Sequence, residues 1–314
     1  MDNHNKQDYY NRKIATKYTQ YVVREPDELM SFIMKAMHGI SRTRAKELLA
    51  HKMVLVDKQI TTCHDTPLKK GQIVQILKKS NIHEFNHKLI RIVYEDAFII
   101  VVEKMNGILT SSPAGQKLVT VKKVLDEYVG RQKKGMRVHT VHRLDRETSG
   151  LLIFAKNIDI QQTLVRNWRE IVTDRRYIAV VQGEMEKNKG IVSSWLMDNK
   201  MFITYSSPTD NGGKLAITNY RTIKRTNGFS LVEMILETGR KNQIRVHMQD
   251  LKHPIVGDYK YGSTVDPIGR IALHAYMLRF YHPITGELMN FELPCPSSFN
   301  KIFQSQENPD GQNI

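Results

Sequence analysis

Residues 140–150, TVHRLDRETSG, set one acid, Asp145, between Arg143 and Arg146 and follow it with a Thr-Ser-Gly turn. A carboxylate attacks an electrophilic carbon only when it is ionised and partly stripped of water, and a nearby guanidinium keeps it ionised as water leaves. Asp145 is therefore either a buried ion-pair partner or a reactive group that arginine holds charged. On an extended strand Arg143, two positions away, shares its face, whereas Arg146 points elsewhere. Arg240 and Arg245, both in GRKNQIRVH, are the other candidates for a planar, two-pronged partner. Glu147 raises a glycosidase-like carboxylate pair, but an i+2 neighbour on a turn has no defined separation.

Other chemistries find little support. No GxGxxG opens a helix, no GxSxG elbow is present, and Gly212-Gly213-Lys214 lacks the rest of a phosphate-binding loop. His83-Glu84-Phe85-Asn86-His87 fits the HExxH zinc-protease pattern, which needs both histidines on a helix, a third ligand and a cleft. Here the pentapeptide sits in the polar run KKSNIHEFNHK, directly before strand-like sequence, and reads as linker. His142, His247 and His274 have no liganding spacing and read as structural histidines. Tyr177, taken on strand pattern alone, reads as a core aromatic. What remains is cofactor-free chemistry by ordinary side chains, with no metal.

The elements that must position these groups follow from periodicity. Beyond Leu89 the runs LIRIVYED, FIIVVEK, GLLIFAKN, YIAVVQG, AITNYRTI, FSLVEMIL, NQIRVHM and MLRFYHP read as strands, and LVTVKKVLDEYVG and IDIQQTLVRNWRE as helices. Strands arriving in runs joined by glycine and polar turns predict an α+β domain, a mixed, largely antiparallel sheet with flanking helices. Upstream, Leu29, Phe32, Ile33 and Met37 share a helical face, His38-Gly39 closes that helix, and Ser41 caps SRTRAKELLAHK. Arg42, Arg44 and Lys46 crowd the first turn of this second helix, where cations oppose the helix dipole unless an anion binds. The strands MVLVDKQ and GQIVQIL complete a small α/β unit. The predicted organisation is a polar arm over residues 1–25, a small module over 26–78, a linker over 79–88, a larger domain over 89–300 and a polar tail over 301–314.

Lys and Arg outnumber Asp and Glu by 47 to 32 in 314 residues, a formal charge of +15. A polyphosphate is the partner that best uses such an excess, because each neutralised phosphate releases counterions. No segment reads as a basic amphipathic membrane anchor, and no apolar run approaches the ~20 residues that span a bilayer. Cys63 and Cys295 fit reduced thiols better than a disulfide framework. With a polar amino terminus, these features predict a cytoplasmic protein.

Read whole, residues 141–151 resemble the HRLDxxTSGL signature of the RluA family of pseudouridine synthases. Further pieces occur in family order: RYIAV at 176–180 resembles the tyrosine strand, KLAITNY at 214–220 the strand after it, and ETGRKNQIRVHM the arginine motif. Gly257-Asp258 with Tyr261-Gly262 is similar to the GDxxYG piece, and Leu273-His274-Ala275 to the last motif. SRTRAKELLAHKMVLVDKQI resembles the small αL-type RNA-binding module shared with a ribosomal small-subunit protein, so the likeness covers about residues 26–300.

The resemblance implies a pseudouridine synthase fold and an isomerase acting on structured RNA, with large-subunit ribosomal RNA as the favoured substrate and transfer RNA as the alternative. It implies Asp145 as catalytic aspartate, Tyr177 beside the target uracil, Arg245 as ion-pair partner of Asp145, and Arg143 in the stack that the target base has left. No cofactor is implied, and protein partners are undefined. A non-catalytic RNA-binding or ribosome-assembly factor is the rival from another class. Two departures stand out: EKMNGILTS at 103–111 replaces the usual DKPxGxxVH, and Asn242 stands where a histidine is common.

Overall fold

The computed structural model describes residues 18–38, 40–50, 53–77, 85–112, 116, 118–226 and 228–304. The chain falls into two compact units divided between Ile82 and His83. In the small unit, β1 (Tyr18–Val22) pairs antiparallel with β6 (Ile73–Leu77), which pairs with β3 (Val54–Val56), and β3 with β4 (Gln59–Ile60). A short ribbon joins β2 (Asp27–Glu28) to β5 (Pro67–Leu68). Against these strands pack α1 (Leu29–Ala36) and α2 (Arg42–Ala50), whose Leu29, Ile33, Ala45 and Leu49 bury against Val54 and Val74.

Residues 18–22 fall within the predicted polar arm. They are instead the edge strand of this sheet, because YTQYV alternates and pairs in register from Tyr18↔Leu77 to Val22↔Ile73. Val23, also inside the predicted arm, is buried in the core of this unit. Residues 1–17 of the arm, Gly39 of the predicted helix stop, His51 and Lys52 of SRTRAKELLAHK, and residues 78–84, with His83 and Glu84 of the HExxH pattern, lie outside the described residues.

The large unit is built on an eleven-stranded sheet. Its strands are β7 (Ile90–Glu95), β8 (Ile99–Lys104), β9 (His139–Thr140), β10 (Ser149–Ala155), β11 (Val172–Gln182), β12 (Lys189–Asp198), β13 (Thr204–Ser207), β14 (Lys214–Thr226), β15 (Phe229–Leu236), β16 (Leu273–Tyr281) and β17 (Leu288–Glu292). The order along the sheet is β13-β12-β14-β15-β11-β16-β10-β8-β7, with β17 beside β16 and β9 beside β10. Neighbours are antiparallel except β10 and β16, which run parallel at the middle of the sheet. There the two backbones nearly touch: Gly150 has φ +126°, and a Cβ on it would lie 2.2 Å from the carbonyl oxygen of Ala275. Only glycine fits such an approach.

Helices α3 (Val121–Gln132), α4 (Ile158–Arg166) and the short α5 (Trp168–Ile171) match the two predicted helical patches, and Thr120 and Asn157 cap the first two through their side chains. NQIRVHM departs from expectation. It forms α6 (Gln243–Asp250), entered through Asn242 in the left-handed conformation. The alternation of Ile244, Val246 and Met248 imitates a strand, but the segment is a helix packed on more than one side, with Gln243 and His247 buried as well. The tail boundary also moves. In α7 (Ser297–Gln304), Phe299, Ile302 and Phe303 repeat at helical spacing and bury in the main core, so residues 301–304 belong to the domain. Residues 305–314 lie outside the described residues.

Candidate active site

Asp145 sits in the turn that feeds β10, and neighbouring elements clamp that turn tightly. Leu144 is buried; its N–H donates to Thr110 Oγ1 at 3.1 Å, and its carbonyl accepts from the same hydroxyl at 2.8 Å. The carbonyl of Arg146 accepts from Lys104 Nζ and from the Gly107 N–H, each at 2.9 Å. Lys104 is fully buried and also donates to the carbonyls of Met105 and Ile108. Desolvation lowers its pKa to about 8, against which Glu147 and Asp145 pull upward. The altered motif EKMNGILTS thus keeps Lys104 and Gly107, which hold the turn; Thr110, where the usual pattern has valine, clamps Leu144, and Met105 takes part through its carbonyl.

Arg245 projects from α6 to the same place, but its principal partner is another acid. Nε and Nη2 grip the buried Asp258 at 2.6 and 2.7 Å, a two-pronged pair. Nη1 donates to Asn242 Oδ1 at 3.1 Å and lies 3.9 Å from Asp145 Oδ2. The guanidinium lies 4.7 Å from the centre of the Tyr261 ring. Burial opposes the charge of Arg245, yet the bonds and charge of Asp258 outweigh it and Asp145 adds to them, so its pKa is raised. Asp145 therefore shares in an arginine that Asp258 has already fixed. Asn242, the second departure, bonds the Tyr261 hydroxyl at 2.9 Å and so orients both ring and guanidinium. Its φ of +53° is a conformation that asparagine tolerates well.

Tyr177 lies on β11, buried, opposite Met234 and Ala275. Burial raises the pKa of its hydroxyl; Arg175 opposes that and Asp145 reinforces it. Asp145, Tyr177 and Arg245 line one cleft of about 760 Å³, with Arg143, Trp168 and Arg240 among its other walls. Arg143 is exposed there. Arg240, the other candidate partner for Asp145, spends its Nε on the Leu215 carbonyl at 2.9 Å. Glu147 lies 3.5 Å from Arg146 and is not among the residues that line the cleft with Asp145.

The histidines are held in hydrogen bonds. His247 bonds Ser194 and Thr218, His274 bonds Ser149, and His142 Nε2 accepts from the Ile153 N–H. Desolvation lowers the pKa of His142 to about 3, and those of His247 and His274 to about 4. Arg42, Arg44 and Lys46 belong to the small unit. Arg42 and Lys46 are exposed on α2, whereas Arg44 forms an ion pair with Glu47. Sequence reasoning gave no role to Lys104, Thr110, Trp168, Arg175 or Asp258. Asp258 did carry a signal, standing in the GDxxYG-like piece.

A family model for RNA pseudouridylate synthase matches residues 98–250. The ribosomal large subunit pseudouridine synthase D of Nitrosomonas europaea is 31% identical over 281 residues, 85% of this chain and 81% of the relative. That of Vibrio vulnificus is 34% identical over 292 residues, covering 87% and 89%. The chain belongs to the RNA pseudouridylate synthase family. It is accordingly an RNA pseudouridine synthase, an isomerase, and the RluA-type resemblance agrees with these relatives. Among solved structures, human RNA pseudouridylate synthase domain containing 4 has a TM-score of 0.55 at 22% identity, covering 67% of this chain and 90% of that one, a likeness of fold. The expected α+β architecture with a largely antiparallel sheet is the one observed.

Proposed function

We propose that this pseudouridine synthase acts on specific uridines of large-subunit ribosomal RNA, with Asp145 as the reacting carboxylate. The observation that carries the reading is the convergence of Asp145, Tyr177 and Arg245 on one cleft with a cationic rim. The relatives named for the large ribosomal subunit support the substrate. In the reaction the N1–C1′ bond breaks, the uracil turns, a C5–C1′ bond forms, and the C5 hydrogen leaves as a proton while the freed N1 takes one up. With the uridine sugar against it, Asp145 would add to C1′ or act as electrostatic support and base. Arg245 supplies a positive countercharge 3.9 Å from that carboxylate, and Tyr177 assists loss of the C5 proton. The base must first leave its stack, at a cost of a few kcal/mol that phosphate contacts offset, and Arg143 fills the space it vacates.

Tritium release from RNA transcribed with 5-tritiated uridine tests this directly, because forming the C5–C1′ bond expels that hydrogen into water. Release from large-subunit ribosomal RNA and not from transfer RNA is expected. Release from transfer RNA alone would move the substrate. Silence on both transcripts and on ribosomal particles would favour an RNA-binding or assembly role. The setting of this activity is the cytoplasm.

A further inference from the structure

Seven cationic side chains and three carboxylates line the cleft, and the cations are not equally engaged. Arg245 is gripped by Asp258, Arg240 holds the Leu215 carbonyl, and Lys241 bonds Asp198 and the Phe202 carbonyl. Arg143, Arg166 and Arg169 are exposed, so water solvates them. Arg175 differs from both groups. It is half-buried, one strand position before the Arg176–Tyr177 bulge of β11, and among the described residues no hydrogen bond or ion pair engages its guanidinium. Its neighbour Asp174 is turned to Arg176 at 2.8 Å.

Packing alone fixes Arg175. Its guanidinium carbon lies 5.4 Å from the centre of the Trp168 ring, and that tryptophan also packs against His142, ring to ring at 5.0 Å. Gly239 stands beside the same guanidinium, where a Cβ would lie only 3.1 Å from Nη1. A guanidinium stacked in place, partly desolvated and without an acid carries an uncompensated cost that a bound anion would recover. Its planar fork of donors matches two phosphate oxygens.

We propose that Arg175, seated on Trp168 and given room by Gly239, forms an anion subsite for a backbone phosphate of the RNA beside the extruded uridine. This rests on the reading of the cleft as the uridine site. The subsite holds the sugar-phosphate while the base turns, so Arg175 is a positioning residue whose effect shows in binding.

The test is filter binding of a large-subunit ribosomal RNA transcript across a salt series, with single-turnover tritium release measured in parallel. Arg175→Gln is expected to weaken binding roughly tenfold, as for one charge-assisted contact. It should also flatten the slope of log affinity against log salt by about 0.7–0.9, the value for one lost phosphate. Arg175→Lys should keep the slope and lose part of the affinity. Gly239→Ala keeps every charge but crowds the guanidinium, and should weaken binding too, a control if Arg175→Gln fails to fold. Unchanged affinity and slope in these variants would overturn the subsite. So would lost turnover with intact binding, which would assign Arg175 to the chemistry of Tyr177. If wild type released no tritium from any RNA, the uridine reading would fall, while the salt slopes would still decide whether Arg175 binds phosphate.

Discussion

The guanidinium of Arg245 serves two carboxylates unequally, and the inequality has consequences. Asp258, almost wholly buried, takes both forward donors, so the arginine stands ready whether or not Asp145 is occupied with substrate. Asp258→Ala would strand a buried cation, and such a loss costs roughly 3–5 kcal/mol. A correspondingly lower midpoint in thermal or urea unfolding is expected, with turnover falling as Arg245 loosens; an unchanged midpoint would contradict the arrangement. Lys104 makes a second residue-scale statement, about pH. Its folded-state pKa of about 8 lies below the ordinary 10.5, so its charge costs the fold below about pH 8, and that cost is relieved as pH rises from about 8 to 10.5. Stability from this group therefore rises over the window in which Nζ loses a proton. Two donors then serve three carbonyls, and the turn bearing Asp145 slackens. Turnover should decline above pH about 8 while circular dichroism stays native, and Lys104→Met should lack that inflection at a lower overall rate. The same alkaline inflection in both proteins would assign it elsewhere.

At the scale of elements, the site hangs on the parallel contact of β10 with β16, where the turn bearing Asp145 leads into the sheet beside the strand that pairs with Tyr177. Gly150→Ala would force a methyl group into the Ala275 carbonyl at a φ that side chains avoid, costing roughly 3 kcal/mol or more. Lost soluble expression or a sharply lower melting temperature is expected; a melting temperature like that of wild type would contradict the close approach. Much at this scale was legible in the sequence. Strands such as Ile90–Glu95 and Phe229–Leu236 announce themselves through β-branched runs, and Val121–Gln132 through its periodicity. The segment 243–250 was misread because its alternating apolar residues satisfy a strand pattern equally well, and only tertiary packing separates the two. Asp145 could be singled out locally, since its neighbours in the chain name it. The pairing of Arg245 with Asp258, and the placing of Arg175 beside Trp168 and Gly239, join residues distant in sequence. Such contacts leave no local periodic trace.

For the whole molecule, cations contributing to the charge of +15 line the cleft in one unit and stand on the exposed first turn of α2 in the other. Arg42 and Lys46 are exposed, whereas Arg44 already pairs with Glu47, so the three cations should not contribute alike to RNA binding. Replacing Arg42 and Lys46 by alanine should lower the salt slope of RNA binding by about two units, about one for each phosphate contact, and replacing Arg44 should lower it less. An unchanged slope would make α2 a solvated face. The central claim, that a folded RNA-binding surface serves one reacting carboxylate, is tested most directly by Asp145→Asn in single turnover on 5-tritiated large-subunit ribosomal RNA, with affinity measured on the same transcript. Near-normal affinity with no tritium released is the expected result. Tritium release at the wild-type rate would contradict it and remove Asp145 from the chemistry.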